Sequence, residues 1–118
     1  YDPDQDLFFV NLERFPLRSR ADIAAIKAAA EAKLKPLGKR VYAIVNYDHF
    51  SIVPELLDAY SAMVRGLHDH YYSGVSRYTT SGFLRMKLGQ ALQNRGVSPH
   101  IFESAAAAKS ERLPSSTG

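Results

Sequence analysis

The sequence predicts an α/β fold: a single domain in which strands alternate with amphipathic helices, giving a mostly parallel sheet covered by helices. Three observations predict it. The run VYAIVNY, residues 41–47, is β-branched and aromatic at most of its apolar positions, as suits a strand near the centre of a sheet. The segments before and after it carry apolar residues at spacings of three and four, the helical period. Glycine or proline closes each periodic segment before the next apolar run begins. The expected order is βαβαβαβα, with right-handed crossovers.

Taken in order, residues 1–6 are polar and acidic and read as a linker remnant. The run LFFVNL, residues 7–12, suits a strand buried on both faces. The first helix follows in SRADIAAIKAAAEAKLKPLG, where Ile23, Ile26, Ala30 and Leu34 share a face. Ser19 and Asp22 form a capping-box pattern at its start, and Pro36 and Gly38 stop it. In the second strand Val41, Ile44 and Val45 are expected in the core beneath the first two helices. Pro54 suits the first turn of a second helix, whose face is Leu56, Tyr60, Met63, Leu67 and Tyr71. Gly74 is expected to end it with a positive φ.

Residues 75–79 read as a third strand. Ser81 is placed to cap a third helix with Leu84, Leu88 and Leu92 on one face, ended by Gly96. Residues 97–102 are expected to form a fourth strand, at an edge because Pro99 has no N–H to donate. Ser104 opens an alanine-rich last helix. The domain is expected to span residues 7–112, with residues 113–118 as a flexible tail.

Composition bounds the function. A chain of 118 residues, 46% hydrophobic, can build one core and not two. Without cysteine it has neither a disulfide scaffold nor a thiolate zinc site. No apolar run approaches the roughly 20 residues that span a bilayer, and no leader pattern is visible. A cytoplasmic location is therefore expected, without a membrane partner. The net charge of +3 is spread among acids, as in Glu13–Arg14 and Lys27–Glu31–Lys33, so a nucleic-acid interface is not expected. The chain starts at Tyr1 and its methionines, Met63 and Met86, are internal; excision from a longer polypeptide is the expectation, with proteolytic processing the alternative.

Ligands of parallel sheets tend to bind beyond the carboxyl ends of the strands. Two segments fall there. In NYDHF, Asn46, Asp48 and His49 read either as an acid–base group or, preferably, as a polar loop that hydrogen-bonds its own backbone. In RYTTSG, the hydroxyls of Thr79, Thr80 and Ser81, the backbone of Gly82 and the nearby Arg77 suggest an anion site at a helix start, or a simple N-cap. His68 and His70 diverge on a helix and His100 stands alone, so no metal is expected. The glycines form no Gly-x-Gly pair and offer no nucleotide cradle. Tyr71, Tyr72 and Tyr78 fit a protein contact or a core edge equally well.

The run VYAIVNYDHFSIVPELLDAYSAMV, with SGVSRYTTSGFLRMKLG after it, resembles the carboxyl-terminal region of fused acyl-CoA:carboxylate CoA-transferases, the acetate, propionate and 3-oxoacid type. The resemblance covers roughly residues 7–104, and NYDHF and RYTTSGFLRMKLG are its specific parts. In that family a glutamate in a Glu-x-Gly context attacks the acyl-CoA thioester. None of Glu13, Glu31, Glu55, Glu103 or Glu111 has glycine two residues later. The resemblance therefore implies a non-catalytic accessory domain that assembles or regulates upstream catalytic halves, alone or as a homo-oligomer. The chain itself would hold no cofactor and no catalytic residue, while the parent would use coenzyme A thioesters. Ser81-Gly82-Phe83-Leu84 after a strand is similar to the Ser-Gly turn of STAS domains, in which a serine or threonine at that helix start can be phosphorylated. The acidic residue often found before that turn is replaced here by Thr79 and Thr80.

Overall fold

The computed structural model describes residues 1–112, with side chains through residue 110; the expected tail lies outside the described residues. Strands β1 (Leu7–Asn11), β3 (Val41–Asn46) and β5 (Tyr72–Tyr78) form a three-stranded parallel sheet with β3 in the middle. Two-residue strands β2 (Pro16–Leu17) and β4 (Ser51–Ile52) pair in parallel beside it. They are too short for periodicity to reveal.

Helices α1 (Arg20–Leu34) and α2 (Leu57–Tyr71) cross between successive strands in the same direction. Right-handed crossovers therefore set both on one face of the sheet. Val41, Ala43 and Val45 alternate onto that face and join Phe8, Leu34, Tyr60, Val64 and Leu67 in the core. Helix α3 (Gly82–Asn94) packs beside α2. Helix α4 (Ala105–Arg112) takes the other face, where Ala108 meets Leu7 and Ile44. Ile44 is thus buried, at 2% exposure, but beneath α4 and not beneath the first two helices.

The helix starts follow the local chemistry. The Ser19 side chain accepts from the Asp22 N–H and the Asp22 carboxylate accepts from the Ser19 N–H, a complete capping box. Gly38 and Gly96 take the left-handed conformation that stops a chain from continuing as helix. Gly74 does not. It lies within β5, beside a bulge opposite Val41 and Tyr42, and a Cβ there would stand 2.7 Å from the Tyr42 ring. Its glycine admits that ring rather than ending α2.

The βαβαβαβα order is corrected at its fourth strand. Residues 97–102 cross α3 as an irregular segment that sinks Val97 and Ile101 into the core. Only Phe102 pairs with the sheet, bridging Tyr78 in parallel. Pro99 cannot donate to a ladder, and the Pro99 carbonyl instead abuts α3 at Gly89. In the expected linker, Asp2 bridges Leu7, and the Tyr1 hydroxyl bonds the Asp6 carboxylate.

Candidate functional site

The carboxyl ends of β3 and β5 bring the two polar segments together. The Asp48 carboxylate accepts the Thr80 N–H at 2.7 Å, and the Asp48 carbonyl accepts the Arg14 N–H at 2.9 Å. The Asn46 side chain accepts the Asp48 N–H at 2.8 Å, an Asx turn. His49 has a φ of 58° and is exposed. Among the described residues no hydrogen bond joins Asp48 to His49. One oxygen of the Asp48 carboxylate, Oδ1, orders the neighbouring turn.

In the turn after β5, Thr79 is buried and its N–H donates to the Phe102 carbonyl at 3.0 Å. Its hydroxyl accepts the Ser81 N–H at 3.2 Å. The Ser81 hydroxyl accepts the Leu84 N–H at 3.1 Å and caps α3. Arg85 donates to the Thr79 carbonyl at 2.8 Å and lies 3.9 Å from Glu103. Thr80, Ser81 and Gly82 are exposed. Arg77 is not with them. Together with Val75 it lines the space between the sheet and the helices α1 and α2.

That space is a cavity of about 370 Å³ running between α1, α2 and the strands. Its walls are mostly apolar, with Phe8, Val10, Ile26, Met63, Val64 and Leu67 among them. Helix α1 leaves room for it because it presents Ala25, Ala29 and Ala30 there. Polar side chains interrupt the apolar wall: Asn11 and Lys33, which are exposed, and the buried Arg77, Tyr72, Tyr47 and Tyr60, the last two with hydroxyls 2.6 Å apart. Arg77 is 2% exposed and its Nε has no hydrogen-bond partner. Burial holds the Tyr60 hydroxyl well above its ordinary pKa, the neighbouring Tyr47 reinforcing it and the Arg77 charge opposing it. Burial likewise pushes Tyr72 up to about 12. The pattern VSRY carried one signal for this site: strand alternation aligns Arg77 with the inward Val75. The alanines of α1 carried no such signal, since alanine is also the best helix former.

Among the described residues no three His, Asp or Glu side chains gather as metal ligands. His70 Nδ1 bonds the Gly66 carbonyl at 2.8 Å, and His100 stacks edge-on with Phe102. Tyr71 donates to Glu31 at 2.9 Å, Tyr72 lies in the core, and Tyr78 is half-buried on the α4 face. No helix of the described residues is long and apolar enough to cross a membrane. Comparison with family models, with curated proteins and with solved structures gave no match.

Proposed function

We propose that this chain is a non-catalytic accessory domain of an acyl-CoA:carboxylate CoA-transferase, serving the assembly or regulation of the enzyme's catalytic halves. The observation that carries the reading is the Asp48–Thr80 hydrogen bond. It ties NYDHF to RYTTSGFLRMKLG, the two segments in which the resemblance to such enzymes is most specific. It also gives one oxygen of the Asp48 carboxylate a structural task, holding a backbone N–H. Covalent CoA transfer needs a carboxylate that is free to attack a thioester and is flanked by oxyanion donors. No glutamate here has the Glu-x-Gly context in which that attack is made. The parent enzyme's coenzyme A thioester would be handled elsewhere.

Two measurements test the proposal. The isolated chain, incubated with acetyl-CoA, should give no covalent adduct sensitive to hydroxylamine or borohydride. Tagged chain should retrieve CoA-transferase activity from extract of its native cells. An adduct on the chain alone, or an eluate without transferase activity, overturns the reading.

A second reading rests on the exposure of Thr80 and Ser81 at the start of α3. It makes the domain a STAS-like regulatory module whose partner reads that turn, either as a bound anion or as a phosphorylated hydroxyl. Ser81→Asp separates the two, because aspartate caps a helix as well as serine does. Partner capture unaffected by Ser81→Asp leaves the turn with its capping role alone.

A further inference from the structure

Arg77 sits in an unusual place for a guanidinium. It lies on the face of β5 that looks toward α1 and α2, paired in register with Val45 on β3, and Val45 in turn is paired with Val10 on β1. Both valines line the same cavity. Arginine remains protonated under all ordinary conditions, so this is a full positive charge among apolar side chains. Arg77 appears in none of the ion pairs of the described residues, and Nε meets no acceptor. The phenols of Tyr47, Tyr60 and Tyr72 share the lining with it. A phenol is neutral at physiological pH, and burial raises Tyr60 and Tyr72 further from ionisation, so neither supplies a counter-charge. A buried charge that finds no carboxylate among the described residues is unfavourable, and an anion from outside the chain would relieve it.

We propose that this cavity binds a small amphiphilic monocarboxylate, its carboxylate paired with the Arg77 guanidinium and its hydrocarbon part packed between α1, α2 and the sheet. Charge, shape and size each bear on that choice. Arg77 is the buried cation of the lining and balances one negative charge, Lys33 being exposed; a phosphate dianion would bring a second charge into apolar surroundings. The planar guanidinium matches a carboxylate bidentately. The walls beyond Arg77 are aliphatic and aromatic, fit for a chain or a ring and not for a sugar. A cavity of about 370 Å³ holds a ligand of roughly 10–15 non-hydrogen atoms at ordinary packing density. That is longer than acetate and shorter than a membrane fatty acid. Asn11 and Lys33 are exposed residues of the lining, on β1 and α1, and mark the entrance between those elements. The inference stands on the cavity alone and holds whether or not the domain serves a transferase.

The test is calorimetric titration of the whole 118-residue chain with octanoate, octanol and octylamine. Octanoate should bind at one site, octanol at least about tenfold more weakly, and octylamine not at all. Arg77→Leu should weaken octanoate about 10- to 100-fold and leave octanol unchanged. Ala29→Phe places a ring at the cavity from an exposed position on α1 and should abolish binding of both probes while the far-ultraviolet circular dichroism is retained. This second variant keeps the test decisive if Arg77→Leu does not fold. The proposal is overturned by absence of octanoate binding at millimolar concentration, by equal affinity for octanoate and octanol, or by octanoate binding that survives Ala29→Phe.

Discussion

Ser81 holds the start of α3 with two atoms. Its hydroxyl accepts the Leu84 N–H and its carbonyl accepts the Arg85 N–H, so two donors of the first turn are satisfied by one residue. Only the first of these depends on the side chain. Ser81→Ala should therefore cost about 1 kcal/mol and Ser81→Asp only a few tenths, read as midpoint shifts in a urea titration. Ile44 is a different case, since its contribution is packing alone. It lies at 2% exposure between β1 and α4, and Ile44→Ala should cost about 2–5 kcal/mol. A change under about 1 kcal/mol would mean that α4 closes over the gap without loss.

At the scale of elements, two helical glycines make opposite predictions. In an exposed helix interior, glycine is less favourable than alanine by about 1 kcal/mol. Gly66 in α2 has nothing within 4 Å of a built Cβ. Gly66→Ala should then stabilise the domain by up to about 1 kcal/mol. Gly89 in α3 has the Pro99 carbonyl oxygen at 2.8 Å from such a Cβ. That atom is backbone and belongs to the segment that carries Val97 and Ile101 into the core, so it cannot swing aside. Gly89→Ala should lose more through this clash than it gains in propensity, a net cost of about 1–3 kcal/mol. Thermal melts of the two variants should move in opposite directions. If both rise, the 97–102 segment is free to shift off α3.

The whole molecule is unequal across its sheet. One face carries the thick layer of α1 and α2, with the cavity and the buried tyrosines; the other, among the described residues, is covered by α4. The tyrosines give the fold a characteristic alkaline limit. Burial raises the Tyr72 hydroxyl from near 10 to about 12 and holds Tyr60 well above its ordinary value. A group whose folded pKa lies above its unfolded value binds its proton more tightly when folded. Its contribution is complete below pH 10 and falls away as pH rises from about 10 toward 12. A shift of this size corresponds to about 2–3 kcal/mol for Tyr72. Denaturant titrations should show stability declining above about pH 10, and Tyr72→Phe should make the decline shallower. An identical slope in the variant would mean that Tyr72 is hydrated in the folded chain.

Much of this architecture was legible in the sequence. The α/β class and the alternation of strand and helix follow from periodicities of two and 3.6. So do the caps at Ser19 and Ser81 and the left-handed stops at Gly38 and Gly96, because a cap or a stop is decided by bonds within four residues of itself. Other features depended on partners distant in the chain. Gly74 resembled a helix stop until the Tyr42 ring, 32 positions earlier, was laid across it. Residues 97–102 had the composition of a strand, but their place was settled by the groove beside Gly89. Burial of Ile44 follows from its place in an apolar strand; which helix covers it followed from the handedness of two crossovers. The same division governs the candidate site. Alternation alone turned Arg77 to the face of Val75 and away from the hydroxyls it adjoins in sequence. That the facing helix presents alanines there, leaving a charged side chain beside an open space, came from packing, since a cavity is a relation between surfaces and belongs to no single segment.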